Sequence, residues 1–515
     1  MVRKIAGRIQ VKGTLVAQSP IHVGGIASDP DVDMSLAIDG QGRFYIPGTS
    51  LAGALRNWLK ENELEDETIW GPRLTKGDDD RGHASFIILD DGVVSGRVFE
   101  VRDGVGIDRV FGSAADGIKY NRAVLPKESK IDFGMMLDLQ KAGQDGENWL
   151  GTLIQALEKG EVRLGASKTR GLGRVKLENA SVSRYGLNNR EAMLRTLRGQ
   201  GQALTLQPQQ IRATSRLSVE ILWQPLGSLM VKAEADGIAV DMLPLVSTVG
   251  DQVALVLPGS SIKGALRSQA ERILCTVLSL PVKDEDKSKQ RFQQQLEDPR
   301  LRMTQLIFGI AAKDYIGNRS ENSSENLSTP QLGLGALAID DCYCEKKIQP
   351  DQWQAIAAAK DSKELMELLK ATPLKDTQQA FHVAVDRWTS GAAEGFLYSN
   401  LEPFGLKWDA ISLTLNLNRI PLNEQAPAIA LLLITLRDLA AGRIPLGYGV
   451  NRGMGAIQVT QVNLQGKGFE GGLAALNSEI SLFQGNLMEL DGKLLTELNN
   501  AWANWLQNPS EGEAQ

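Results

Sequence analysis

Alternating apolar and polar residues run through RIQVKGTLVAQSPIHV near the start of the chain and predict a half-buried strand. The period then lengthens to that of a helix in LAGALRNWLKENE and returns to strand in ASFIILDD. A further helical stretch, WLGTLIQALEKG, feeds a glycine-rich loop. The second half of the chain repeats this order, with SIKGALRSQAERILCTVL, then GALAIDDC, then APAIALLLITLRDLAAG before another glycine-rich loop. Strands, helix, strands, helix, strand, met twice, predicts an α+β fold.

The repetition extends to the residues themselves. PGTSLAGALR from Pro47 and PGSSIKGALR from Pro258 agree at seven of ten positions. VDM around Asp33 recurs around Asp241, DRVFGSAADGIKY from Asp108 matches DRWTSGAAEGFLY from Asp386, and LGASKTRGLGRV from Leu164 matches LGYGVNRGMGAI from Leu446. Four blocks in one order identify a duplicated module. Each copy reads as a ferredoxin-like (RRM-like, split βαβ) unit with insertions.

Composition then sets the boundaries. The polar stretch GQGQALTLQPQQ places a linker at 199–210, so the copies are expected at 1–198 and 211–463. KDEDKSKQRFQQQLEDPR and NRSENSSENLSTPQ are too polar for a core, and mark a surface insertion at about 283–330 of the second copy, expected to be partly disordered. Residues 349–372 are helically periodic, as is a C-terminal extension over 464–515. No apolar run approaches the length of a membrane span and the first ten residues hold no signal core, so a cytoplasmic (prokaryotic) protein without a membrane partner is expected. Cys275, Cys342 and Cys344 are read as reduced and structural, because their number is odd and Cys-Tyr-Cys lacks zinc-knuckle spacing.

The formal net charge of −6 lacks the basic balance of a nucleic-acid binder, so phosphate contacts require local basic tracks. The glycine-rich loops supply candidates. Gly171, Gly173, Gly453 and Gly455 allow backbone N–H groups to turn toward an anion; Ser167, Lys168, Arg170, Arg174, Asn451 and Arg452 stand beside them. A bland alternative is a glycine C-cap after a helix. Lys168 faces Val450 across the repeat, so the second loop is the less basic. The hydroxyls of the proline-glycine turns suit helix N-caps.

Taken together, the proline-glycine turn before a helix, the upstream aspartate and the late glycine loop resemble the RAMP superfamily. The first copy, with IHVGG, VDM and IPGTSLAGALR in sequence, is most similar to the type III backbone subunits of CRISPR effector complexes, and the fusion of two modules resembles type III-D. The resemblance implies that Ser50, Arg56, Ser260, Ser261, Lys263 and Arg267, with the glycine loops and His22, Gly24 and Gly25, hold a guide (CRISPR) RNA. It implies other effector subunits as hetero-oligomeric partners, and complementary target RNA read by base pairing. It also implies a hairpin, the thumb, with Asp108–Tyr120 and Asp386–Tyr398 as candidates for its base. Structural ion pairing of Asp108 with Arg109 and of Asp386 with Arg387 is the alternative there.

In that family an aspartate before the proline-glycine turn cuts target RNA with a divalent metal, which implies Asp33 and Asp241 as catalytic, metal-holding residues with magnesium or another divalent cation. Asp31 is a neighbour suited to assist. A lone loop aspartate is otherwise a turn former, and IHVGG becomes LMVKA in the second copy, with Met230 replacing His22, which weakens the case for Asp241. His22 is equally well read as a strand histidine. Two other readings stand beside RNA-guided cleavage: a non-catalytic guide-binding scaffold, and a guide-precursor endoribonuclease, which three histidines in the whole chain disfavour.

Overall fold

The computed structural model describes residues 5–25, 31–72, 82–140, 147–209, 214–234, 236–280, 289–310 and 333–507. Two compact units are present. One comprises residues 1–101, 122–168 and 172–212; the other comprises 102–121, 169–171 and 213–515.

In the first unit, strand Gly7–Ala17 lies between Lys130–Leu139 and Val175–Gly186, antiparallel to both. Ile87–Leu89 and Gln202–Ala203 complete a five-stranded sheet. In the second, Arg216–Pro225 lies between Ile411–Asn416 and Ile457–Lys467, with Leu337–Ile339 and Glu479–Phe483 at the edges. The first four strands of each unit stand in ferredoxin-like order, as the repeat predicts. A register irregularity falls at the same pairing in both, between Lys12 and Thr14 and between Leu222 and Trp223.

Alternation explains the central strands. Leu217, Val219, Ile221 and Trp223 point to one face and are buried, while the residues between them are exposed. That face is covered by helices Gly259–Val277 and Gln425–Ala440, the latter apolar almost all round because helix Gly492–Gln507 packs on its far side. The first unit encloses its own core, where Leu51, Leu55, Trp58 and Leu59 of helix Gly48–Glu61 meet Leu150, Leu153 and Leu157 of helix Glu147–Glu158.

Three expectations need correction. Part of the linker is structure: Gln202–Ala203 pairs with the last strand of the first sheet, and Leu204 and Leu206 pack on its core. The polar insertion is not all surface, since Lys289–Glu297 and Arg302–Phe308 are helices with Phe292, Leu301, Met303, Leu306 and Phe308 buried; 281–288 and 311–332 lie outside the described residues. The C-terminal extension is not wholly helical, because Glu479–Phe483 adds an edge strand before the helix begins at Gly492. Polarity misled in each case, since a short edge strand or an amphipathic helix needs only a few apolar residues.

The cysteines are free. Cys342 and Cys344 are buried, and burial pushes the Cys344 thiol up to about 11. Among the described residues no helix is long and apolar enough to cross a membrane.

Candidate nucleic-acid interface

The proline-glycine helices carry six of the expected guide contacts, Ser50, Arg56, Ser260, Ser261, Lys263 and Arg267. Neither is capped by a hydroxyl. Pro47 and Pro258 are the N-cap residues, and the first helical N–H is taken by a carboxylate from the neighbouring strand end: Gly48 N donates to Asp91 Oδ1 at 2.7 Å and Gly259 N to Asp341 Oδ1 at 2.8 Å. A favourable charge thus sits at the positive helix end. Glycine is required there by crowding, since a Cβ would lie 2.4 Å from Leu89 O or 2.3 Å from Ile339 O.

The arginines ending both motifs are structural. Arg56 Nη2 donates to Gly71 O at 2.7 Å and Arg267 Nη1 to Gly309 O at 2.7 Å; Arg56 also pairs with Glu65, and Arg267 with Glu271. Lys263 is buried, with Nζ donating to Leu337 O at 2.6 Å and Thr169 O at 3.2 Å; burial, reinforced by nearby Arg170, Arg267 and Arg419, pushes its pKa well down. Arg56, Arg267 and Lys263 therefore face the protein and leave the set of expected guide contacts. Ser260 is exposed, and Ser50 and Ser261 are half-buried.

Both glycine loops dock on the irregular segment that precedes the aspartate. Ala166 N donates to His22 O at 2.9 Å in the first copy and Tyr448 N to Met230 O at 2.8 Å in the second. Each loop is closed at its neck, Leu164 N to Gly173 O at 2.7 Å and Leu446 N to Gly455 O at 2.9 Å. Gly173 (φ +90°) and Gly455 (φ +79°) place their Cα hydrogens where a Cβ would meet Leu164 O or Leu446 O at 2.1 Å. Their role is to shape the loop, and both are buried, as is Gly171 against Asp341. We expect Gly173→Ala and Gly455→Ala each to destabilise by well over ~1 kcal/mol, measured by denaturant unfolding. Gly453→Ala, which meets nothing within 4 Å, should cost less. The left-handed turn also recurs, at Ser167 (φ 55°) and Gly449 (φ 69°).

His22 is likewise an internal residue. It is buried, its Nδ1–H donates to Ala123 O at 2.7 Å, and burial lowers its pKa below 6.5 against the opposing pull of that hydrogen bond, with Arg122 lowering it further. Between the folded pKa and 6.5 the unfolded chain binds more protons, so His22 costs stability as pH falls through this window. His22→Gln is expected to flatten the acid limb of an unfolding-midpoint profile between pH 7.5 and 5. Gly24 and Gly25 follow it, bridging toward Leu36 and Ser35.

The aspartate loops have one construction. Met34 forms a parallel bridge to Arg122, and Met242 to Asn400; Ala123 N donates to Met34 O and Leu401 N to Met242 O, both at 3.0 Å. Asp31, Asp33 and Asp241 are exposed. Asp241 Oδ2 accepts from Ser399 N at 2.6 Å and Ser399 Oγ at 3.1 Å. Each loop is also tied to a glycine loop through its methionine. In the first copy Arg122 donates to Met34 Sδ at 3.1 Å and to Ser167 Oγ; in the second Tyr448 OH reaches Met242 Sδ at 3.0 Å and Arg452 reaches Tyr448 OH at 3.2 Å. Residues 26–30 lie outside the described residues.

Arg170 and Arg452, the matched loop arginines, meet matched tyrosines: Arg170 Nη1 donates to Tyr120 OH at 3.3 Å, and Arg452 Nη1 to Tyr398 OH. Arg452 also lies 5.3 Å from the Tyr398 ring centroid, a cation–π distance. Both guanidinium groups remain exposed, as do Asn451 and Gly453; Lys168 is half-buried, and exposed Arg174 spends Nε on Gly160 O at 3.0 Å. These tyrosines lie midway along two hairpins, Glu100–Ile107 with Ala114–Val124 and Thr377–Val385 with Ala392–Pro403. Asp108 and Asp386 sit in the turns, and are not the hairpin base. Asp108 Oδ1 accepts from Val110 N and Phe111 N, and Asp386 Oδ1 from Trp388 N and Thr389 N, at 2.7–3.0 Å. Arg109 pairs with Glu271, so the expected Asp108–Arg109 ion pair does not form.

Arg122, Asp91 and Asp341 were not singled out from sequence, and Tyr120 and Tyr398 entered only as ends of the candidate hairpin segments. Signals existed for several: ILDD at 88–91 recurs as AIDD at 338–341, and IWG at 69–71 as IFG at 307–309. Arg122 had none, because Asn400 replaces it in the other copy.

A family model described as the RAMP superfamily matches residues 14–176 and 251–458, one segment in each copy. No curated protein matches the chain.

Proposed function

Because this chain belongs to the RAMP superfamily, whose members bind CRISPR RNA within multi-subunit complexes, we propose that it is a tandem backbone subunit of a type III effector complex, joined in the manner of type III-D, that holds guide RNA and cuts paired target RNA. The observation that carries this reading is the aspartate loop tied to a glycine loop through its methionine, built twice. Arg170, Arg452, Lys168 and Asn451 offer donors to guide phosphates, while base pairing selects the target.

Asp33 and Asp241 are proposed to act at two target phosphates. Among the described residues no cluster of three or more His, Cys, Asp or Glu could cage a metal, but magnesium needs only one or two protein carboxylates when phosphates and water complete its shell. Asp241 fits that use: Ser399 fixes Oδ2, and Oδ1 has no hydrogen-bond partner among the described residues. Asp33, with Asp31 two residues away, offers the same hard oxygen donors from an exposed loop. A divalent cation held there would offset charge gathering on the scissile phosphate. In the step proposed, a ribose 2′-hydroxyl loses its proton and attacks the adjacent phosphorus. The P–O5′ bond breaks, leaving a 2′,3′-cyclic phosphate and a protonated 5′-oxygen. Cleavage assays on the guide-loaded complex with Asp33→Ala and Asp241→Ala test this reading. Loss of cuts with RNA binding retained supports it, and unchanged cuts leave a guide-holding scaffold.

A further inference from the structure

The strand that holds Asp241 carries a second polar group on its other face. Ser399 contacts Asp241, and by the alternation of a strand Tyr398, Asn400 and Glu402 face the opposite way. Three rungs of the hairpin share that face: His382 pairs with Tyr398, Ala380 with Asn400, and Gln378 with Glu402. The outer rungs are joined across the middle one. His382 Nε2 lies 3.2 Å from Glu402 Oε1, while the His382 ring stacks on Tyr398 with centroids 5.2 Å apart. Ala380, the small member of the middle rung, leaves room beneath this contact beside Asn400.

Asn400 is fully buried, and among the described residues neither its Oδ1 nor its Nδ2 has a hydrogen-bond partner. An amide left unpaired in the interior is costly. Glu402 is buried too, and among the described residues its carboxylate meets only His382. His382 is half-buried, so the group has a path to solvent on the imidazole side. An imidazole nitrogen, a carboxylate oxygen and an amide oxygen thus come together from successive rungs of one hairpin.

This donor set selects its ligand. Imidazole with oxygen donors suits a divalent transition ion such as zinc, whereas magnesium takes oxygens and water. Three protein ligands and one water complete a tetrahedral zinc shell. The third donor is an amide, so the group lies outside the clusters of His, Cys, Asp and Glu considered for the cutting site. A nucleotide does not fit, because Asn400 has no exposed surface to offer it.

We propose that His382 Nε2, Glu402 Oε1 and Asn400 Oδ1 hold a zinc ion that braces the strand segment presenting Ser399 to Asp241. Ligation uses the Nε2 lone pair, so the imidazole proton resides on Nδ1, and nothing is oxidised or reduced. The site belongs to the second copy alone, since Gly104, Arg122 and Val124 stand at the positions of His382, Asn400 and Glu402 in the first. It does not depend on whether Asp33 or Asp241 cuts RNA.

Calorimetric titration of the chelator-stripped full chain with zinc chloride, in excess magnesium, tests this. We expect one zinc per chain at micromolar or tighter affinity, and at least tenfold weaker binding in His382→Phe, which keeps a ring on Tyr398 and removes the ligand. Asn400→Asp retains an oxygen donor and should bind at least as tightly as the wild type. Asn400→Leu removes the unpaired amide, so without metal it should melt above the wild type, and it should lose the zinc-induced rise in melting temperature. The Asp33→Ala, Asp241→Ala double variant should bind zinc as the wild type does. A wild type with no saturable zinc binding would overturn the proposal, as would binding unchanged by His382→Phe. Loss of binding in the aspartate double variant would move the ion to the aspartate loops and overturn it equally.

Discussion

Asp33→Ala is expected to remove one target cut, lowering its rate by two orders of magnitude or more, while guide and target binding stay within twofold of wild type. Loss of a carboxylate that holds a phosphate-bound cation removes stabilisation made mainly in the transition state, so rate and not affinity should respond. Asp33→Asn is the sharper variant, because it keeps size and hydrogen bonding and removes charge. Asp241→Ala should remove a second, separate cut. The Ser399 contacts that hold Asp241 suggest a further comparison: Ser399→Ala should slow only the Asp241 cut, because the Ser399 N–H still donates to Oδ2 while the hydroxyl's contacts with Oδ2 at 3.1 Å and with Asp241 N at 3.3 Å are lost. Quantifying each 5′-labelled product separately distinguishes two sites from one.

The second large effect concerns stability and should differ between the copies. Asp341 is almost fully buried, accepts from Gly259 N, and pairs with Arg102, which is itself mostly buried. Asp341→Ala removes the carboxylate that pairs with that guanidinium and uncaps the helix, and is expected to cost about 3–5 kcal/mol, the usual range for breaking one side of a buried ion pair. Asp91 makes the corresponding bond to Gly48 N from an exposed position. Asp91→Ala should therefore cost only a small fraction of that. Guanidinium unfolding of the two variants makes the comparison, and Arg102→Met in the Asp341→Ala background should recover much of the loss.

The sequence was legible wherever two copies vouched for one another. The ferredoxin-like order, the hairpins and the neck of each glycine loop all follow from recurring blocks, because apolar period and glycine placement are local consequences of backbone geometry. The site was only half legible. Arg56, Arg267 and Lys263 looked like phosphate contacts beside a helix N-terminus, yet their side chains turn inward to Gly71 O, Gly309 O and Leu337 O. Charge pattern does not disclose direction; only the positive-φ glycine carbonyls and the strand end that receive these groups do. The motif common to both copies was expected to hold RNA, and its arginine makes an internal contact in each. His22 shows the opposite difficulty: it differs from Met230 across the repeat, but both present the same backbone oxygen to the glycine loop, and the side chain is not what the loop touches.

Net charge is consistent with this division. The chain carries a formal −6 overall, and the exposed arginines of the glycine loops, Arg170 and Arg452, are held by Tyr120 and Tyr398. A few preorganised cations on a mostly acidic protein suit a backbone that follows one RNA strand in a fixed register.

Guide-RNA cross-linking in the assembled complex, with the linked peptides identified by mass spectrometry, tests the central claim most directly. The account predicts two separate clusters of linked residues, one in each glycine loop, around Ser167–Arg170 and Asn451–Gly453, with helix residues Arg56, Lys263 and Arg267 free of cross-links. Cross-links concentrated on those helices, or confined to surfaces outside both loops, would contradict it.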